Sequence, residues 1–285
     1  MRHTVSAPGS LGDCLAQLLA GSSGRTRKQM LTTGRVLVND AIARSAATPL
    51  RAGDVVAIAP KAVHTTLPPG LSLVHEDDDV IVVDKPAGLL TIATERERTR
   101  TAYVHLMAHA RARRPPARIF VVHRLDREAS GLLVFATSPG AKTALQAQFA
   151  AHTVERTYLA VVEGRPAETA GTIAGRLLDD GPGPVRATTK PGRGRAAVTR
   201  WRVFRAGERY SLLEVHLETG RRNQIRVHLA GIGHPLAGDA AYGGRTDPLR
   251  RLALHAHVLG FDHPRTGERL RFVSPAPAAF ATLPV

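Results

Sequence analysis

Between Val121 and Ala136 the chain reads Val-Val-His-Arg-Leu-Asp-Arg-Glu-Ala-Ser-Gly-Leu-Leu-Val-Phe-Ala. Two apolar runs of strand character are joined by a loop crowded with ionisable side chains. The apolar runs read as buried strands. The loop between them cannot be buried without partners, so the core must deliver it to a surface or a cleft, where a rigid scaffold presents reactive groups. Asp126 lies within three residues of His123, Arg124 and Arg127. Taken alone, the pattern also fits a turn whose aspartate only caps and pairs locally.

The surrounding chain supplies strands for a large sheet. Val80–Val83, Phe120–Val122, Leu132–Ala136, Tyr158–Val162, Thr199–Phe204 and Leu212–Leu217 are short β-branched or apolar runs. Few helices intervene. The clearest starts at Ser138-Pro139, with serine as N-cap, proline at the first helical position and Leu145 and Phe149 one turn apart. Many strands and few helices predict an α+β domain with a large mixed or antiparallel sheet over residues 71–280. The Gly/Pro/Arg-rich stretch Asp179–Gly194 reads as a loop or hairpin arm.

Residues 11–60 read as a smaller α+β unit. Leu11, Leu15, Leu18 and Leu19 fall at helical spacing, Gly21-Ser22-Ser23-Gly24 breaks the chain, and a basic helix follows over Arg25–Leu31, ended by Gly34. Strands are expected at Val36–Val38 and Val55–Ile58. Residues 61–70 have the composition of a linker.

Composition narrows the function. Lys and Arg total 39 against 24 Asp and Glu, a formal charge of +15, and such an excess attracts polyanions, nucleic acid first. Aromatic residues make up 4%, too few for an extended stacking platform. The lone Cys14 excludes a disulfide framework and cysteine-ligated metal centres. No run approaches the roughly 18–20 apolar residues of a membrane span, and the first residues lack a signal-peptide core. A soluble cytoplasmic protein without membrane attachment, acting as a monomer, is expected. Gly192-Arg193-Gly194-Arg195 lacks the ending of a phosphate-binding P-loop. Thirteen histidines include His255-Ala256-His257 on one strand, but no third ligand stands at zinc spacing. Neither metal nor cofactor is expected.

The segment from His123 resembles the motif of the RluA-type pseudouridine synthases: His-Arg-Leu-Asp, two variable residues, then Thr-Ser-Gly-Leu. Ser130-Gly131-Leu132 match, and Ala129 replaces the threonine. Other stretches fit in order. Glu76–Asp79 with Val80–Gly88 resembles the opening strand. Arg156–Gly164 resembles the tyrosine strand, with Arg156 where lysine is common. Gly220–Leu229 resembles the third motif, with Arg222-Asn223 in place of Thr-His, and runs on into Gly233–Asp239 and Tyr242-Gly243. Leu254–Ala256 and His263-Pro264 resemble the closing strands. Arg25–Arg27, Gly34–Asn39 and Gly53–Val55 resemble the S-four-type RNA-binding domain, with Asp40 where glycine is usual.

These resemblances imply an enzyme that breaks the uracil glycosidic bond, rotates the base and rejoins it through carbon, with no cofactor. They imply Asp126 as the catalytic carboxylate, Arg226 as its cationic partner and Tyr158 as the tyrosine packed on the target base. Arg124 would fill the gap left by the extruded base, and His123 would support the loop. Arg221, Arg222 and Gln224 of the third motif are further candidate RNA contacts, as are Arg25, Arg27, Lys28 and Arg35 of the first unit. On a short helix Arg222 and Arg226 would share a face. The RNA implied is ribosomal, with transfer RNA second. Addition to the base, an acylal at the sugar and elimination to a glycal are all compatible with one carboxylate. Two other classes compete: a non-catalytic RNA-binding protein that keeps the fold, and a metal-dependent ribonuclease built on the histidines and acidic residues.

Overall fold

The computed structural model describes the chain except Thr33, Asp40, Arg44, residues 60–66, residues 114–116, Pro182 and residues 284–285. Most of the expected linker therefore lies outside the described residues, as does Asp40. Two compact units emerge, residues 1–67 with 108–116 and residues 68–107 with 117–285.

In the first unit the strands β1 (Arg2–Thr4), β2 (Gly9–Ser10), β3 (Val36–Val38), β4 (Ala41–Ile42), β5 (Pro49–Leu50) and β6 (Val55–Ile58) accompany two helices, α1 (Leu11–Leu18) and α2 (Gly24–Thr32). A four-stranded sheet runs β1-β6-β3-β4. Leu11 and Leu15 from α1 and Leu31 from α2 pack with Val36, Leu50 and Val56, so the leucine spacing of the sequence becomes the face buried on the sheet. Gly34 has φ 69°, the left-handed ending that glycine gives a helix.

The second unit is organised by one eleven-stranded sheet. Its strands in chain order are β7 (Ser72–Glu76), β8 (Val80–Lys85), β9 (Phe120–Val121), β10 (Ser130–Ala136), β11 (Glu155–Glu163), β12 (Ala170–Leu178), β13 (Arg186–Ala187), β14 (Arg195–Arg205), β15 (Tyr210–Leu217), β16 (Leu254–Asp262) and β17 (Arg269–Val273). The path is β13-β12-β14-β15-β11-β16-β10-β8-β7, with β17 added to β16 and β9 to β10. The helices are α3 (Ala102–Arg113), whose residues from 108 onward belong to the first unit, α4 (Pro139–Ala150), α5 (Gln224–Gly231) and α6 (Ala278–Thr282), with a 3-10 turn at Ala240–Tyr242. The α+β architecture with a mixed, mainly antiparallel sheet is the one expected, and the stretch after Leu178 forms an arm, since β12 pairs antiparallel with β14. Among the described residues no helix is long and apolar enough to cross a membrane.

Helix α4 begins as its sequence dictates. Ser138 Oγ accepts the Ala141 N–H and Pro139 occupies the first turn. Leu145 then packs on Val80, Val82, Leu132 and Val134.

The site is placed by the parallel contact of β10 with β16. Only Ser130↔His255 and Gly131↔Ala256 pair; beyond them β16 takes β17 and β10 takes β9. Gly131 has φ 110°, and a Cβ there would lie 2.2 Å from the Ala256 carbonyl oxygen. Only glycine lets the strands meet this closely, and the loop carrying Asp126 enters β10 at that point.

Candidate active site

Backbone ties immobilise the loop on both sides of Asp126. The Thr91 hydroxyl donates to the Leu125 carbonyl at 2.9 Å and accepts the Leu125 N–H at 3.2 Å. Gly88 N–H donates to the Arg127 carbonyl at 2.8 Å. Lys85, fully buried at the end of β8, places its ammonium, with three protons to share, within hydrogen-bond reach of four carbonyls: Pro86 at 2.9 Å, Leu89 at 2.8 Å, Arg127 at 3.2 Å and Ala129 at 2.6 Å. Burial pushes its ammonium down to about 7, against the pull of Asp126 and Glu128. The carbonyls, which N–H protons satisfy, favour the charged form. A lysine thus serves as the hub of the loop, a role the sequence reading missed. Its signal was visible: a single cation closing the apolar run Val80-Ile81-Val82-Val83.

Asp126 faces a cleft of about 960 Å³, whose lining includes Tyr158, Arg221, Arg222, Asn223 and Arg226. Burial raises the Asp126 carboxyl above the usual carboxylate range, and the Arg226 charge opposes that rise. Arg226 Nη1 lies 3.8 Å from Asp126 Oδ2. The expected pairing is therefore present but is not the tightest contact of this guanidinium. Arg226 Nε donates to Asp239 Oδ2 at 2.8 Å and Nη2 to Asp239 Oδ1 at 2.7 Å. The Asp239 side chain is 1% exposed. The sequence reading quoted Asp239 as motif without a role; its use is visible only once the chain after α5 folds back.

The expectation that Arg222 and Arg226 share a helix face is corrected. Asn223 adopts a left-handed conformation, φ 54°, and α5 begins after it. Arg222 lies outside the helix and turns to the arm, donating to Asp179 at 3.0 and 2.5 Å and to the Gly181 and Gly183 carbonyls at 3.2 and 2.9 Å. Gln224 is corrected too: it is buried, and both ends of its amide are occupied. Its nitrogen donates to the Val198 carbonyl and the Thr199 hydroxyl, each at 2.9 Å, and its oxygen accepts from Thr219 Oγ1 at 2.7 Å and Arg221 N at 3.0 Å. It anchors α5 to β14 and has no donor left for RNA.

The remaining expected residues are distributed as follows. Tyr158 is buried, and burial pushes its phenol up to about 12, so it carries its proton at neutral pH. Arg124 is exposed on the rim. His123 Nε2 accepts the Val134 N–H at 3.2 Å and its ring stacks on Phe149. Burial pushes that imidazole down to about 3, and the neutral ring suits a support of the loop. Arg221 Nε donates to the Ala196 carbonyl at 3.0 Å. In the first unit Arg25 and Lys28 are exposed on α2, whereas Arg27 reaches the Ser22 carbonyl at 2.5 Å and Arg35 the Ala59 carbonyl at 3.0 Å. The last two brace their own backbone.

One group among the described residues has the composition of a metal site: Asp77, Asp79 and His263. Its atoms are already engaged. Asp77 Oδ1 accepts the Asp79 and Val80 N–H groups, each at 2.8 Å, and Arg265 holds Asp79 at 2.7 Å. His263 Nδ1 accepts the Arg265 and Thr266 N–H groups. The ring proton then sits on Nε2, directed at Asp77 3.3 Å away. The cluster braces a turn.

Comparison with known proteins agrees with this geometry. The family profile described as RNA pseudouridylate synthase matches residues 79–231, and the chain belongs to that family, a family of isomerases. It is 39% identical to YlyB of Bacillus subtilis, described as an uncharacterized RNA pseudouridine synthase, over 90% of this chain and 86% of the relative. It is 34% identical to the ribosomal large subunit pseudouridine synthase D of Vibrio cholerae, over 94% and 87% of the two chains. Among solved structures, human RNA pseudouridylate synthase domain containing 1 superposes with a TM-score of 0.57 at 28% identity, covering 74% of this chain and 87% of that one.

Removing one partner of a buried ion pair leaves the other charge uncompensated. Asp239→Ala is accordingly expected to lower unfolding stability by about 3–5 kcal/mol in a urea titration. An unchanged midpoint would show that Arg226 does not depend on Asp239.

Proposed function

We propose that the protein isomerises uridine to pseudouridine in ribosomal RNA of the large subunit, with Asp126 as the catalytic carboxylate. The observation that carries this is the Asp126 carboxylate facing the cleft from a loop tied on both sides, with a guanidinium 3.8 Å away. The N1–C1′ bond of the uridine breaks, the base turns within the cleft, and a C5–C1′ bond forms. The C5 proton leaves to solvent and N1 regains one, so neither electrons nor water are consumed and no cofactor is needed. The target base must leave its stack first. Arg124 fills the vacated position from the rim, and Tyr158 packs against the flipped base. The ribosomal target rests on the names of the relatives; transfer RNA is the second choice. In this reading residues 11–60 form an S-four-type domain whose exposed Arg25 and Lys28 contact phosphates.

Asp126 must be ionised to act as nucleophile or base. Its folded pKa is raised by burial, so turnover falls as pH drops through a value above the ordinary carboxylate range. The sign for stability is opposite. A carboxyl with a raised folded pKa binds its proton more tightly when folded, and ionisation above that pKa costs stability. Asp126→Asn is therefore expected to abolish release of tritium from uridine labelled at carbon 5, while its unfolding midpoint at neutral pH stays level or rises. Residual turnover above about a tenth of wild type would remove Asp126 from the catalytic role.

The first unit is tested by salt. Each phosphate contact contributes roughly 0.7–0.9 to the slope of log affinity against log salt. In the full chain, Arg25→Ala with Lys28→Ala should flatten that slope by about 1–2 and leave turnover at saturating RNA near normal. An unchanged slope would make this helix a solvated face only.

A further inference from the structure

The third motif of this chain departs from its family at Arg222-Asn223, and the departure lies against Asp126. The Asn223 amide has three neighbours; the longest contact is Arg226 Nη1, 3.5 Å from the amide atom that faces Asp126, and the shorter contacts outweigh it. On one side is the Tyr242 hydroxyl at 2.9 Å; on the other are both carboxylate oxygens of Asp126, at 3.0 and 3.1 Å. Hydrogen-bond polarity decides which end faces which. An amide oxygen toward Asp126 would set acceptor against acceptor twice. With the nitrogen there, it donates to Oδ1 and Oδ2, and the amide oxygen accepts from Tyr242. Tyr242 is fixed for this task, because its oxygen accepts the Val185 N–H at 3.0 Å and its one proton is left for Asn223. Val185 belongs to the arm and is buried with Leu177, Ala197 and Val227, against which Tyr242 packs.

We infer that Asn223 is a positioning residue for the catalytic carboxylate, its amide nitrogen bridging both oxygens of Asp126 and its orientation set by Tyr242. The inference rests on the pseudouridine synthase reading only for the importance of Asp126. The left-handed backbone at Asn223, φ 54°, explains the residue type: asparagine tolerates that conformation better than most side chains. The arrangement ties the arm to the chemistry, since Val185 holds Tyr242 while the neighbouring Arg222 grips Asp179 on the same arm. Displacement of the arm would release the amide.

A donor to the ionised form of a carboxyl favours that form. Asp126 also faces Arg226 and Arg222, Lys85 from β8, Tyr158 from β11, Glu128 in its own loop and Asp239 beyond α5. The variants leave all of these unchanged. The test is a carbon-13 titration of full-chain protein labelled at the aspartate carboxyl carbons, with the Asp126 signal assigned by its loss in Asp126→Asn. Asn223→Gly keeps the backbone free of strain and removes the donor; Asn223→Asp keeps the shape and replaces the donor with a charge.

The Asp126 midpoint is expected to rise in Asn223→Gly, to rise further in Asn223→Asp, and to rise least in Tyr242→Phe. Single-turnover rate at neutral pH should fall on the order of tenfold in Asn223→Gly with RNA affinity held, and Asn223→His should restore part of it. An Asp126 midpoint unmoved in both Asn223 variants would overturn the inference. Failure of the functional reading would show separately, as turnover by Asp126→Asn, because the titration requires no activity.

Discussion

In the proposed reaction Asp126 must stay ionised in a cleft, and that needs a cation that cannot wander. In this protein the cation is Arg226, and what fixes it is Asp239. The fork of two bonds, 2.7 and 2.8 Å, uses Nε and Nη2 and leaves Nη1 toward Asp126. Its planarity matters, since only a guanidinium can grip one carboxylate with two nitrogens and offer a third to another. Tyr242 covers the same group, its ring centroid 4.8 Å from the guanidinium carbon. The cost of burying Asp239 is thus offset twice, by the fork and by the order it gives to Arg226.

The other half of the geometry is backbone. Asp126 sits between Leu125, whose carbonyl and N–H are both paired, and Arg127, whose carbonyl is paired, so the backbone sets its direction. Lys85 gathers four carbonyls, those of Arg127 and Ala129 in the loop among them, and Gly131 lets β10 lie against β16 at the point where the loop ends. A sheet built from apolar strands therefore delivers a charged loop to a cleft without leaving the loop to fluctuate. His123, neutral and stacked on Phe149, extends the same support into β10 and α4.

Much of this was legible in the sequence because it is local. Ser138-Pro139 specifies the start of α4 through its own backbone, and the runs at Val80, Leu132 and Tyr158 announce buried strands by composition. Asp126, Tyr158 and Arg226 were found by motif, and the structure brings them to one cleft. What escaped is long-range or depends on one backbone angle. Nothing near Asp239 says that its partner lies thirteen residues earlier, and helical periodicity put Arg222 beside Arg226 because it could not foresee the left-handed Asn223. Gln224 reads as a polar contact until β14 is placed beneath it. Lys85 was the legible residue left unread, a charge that an apolar strand would expel unless something held it.

The central claim is that Arg226 serves Asp126 rather than a phosphate, and Arg226→Lys tests it most directly. Lysine keeps the charge but cannot span Asp239 and still present a nitrogen to Asp126. Single-turnover rate and RNA affinity should be measured on the same preparation. The account predicts a rate lower by roughly a hundredfold with affinity held within a few fold. Weakened RNA affinity with an unchanged rate at saturating RNA would contradict it.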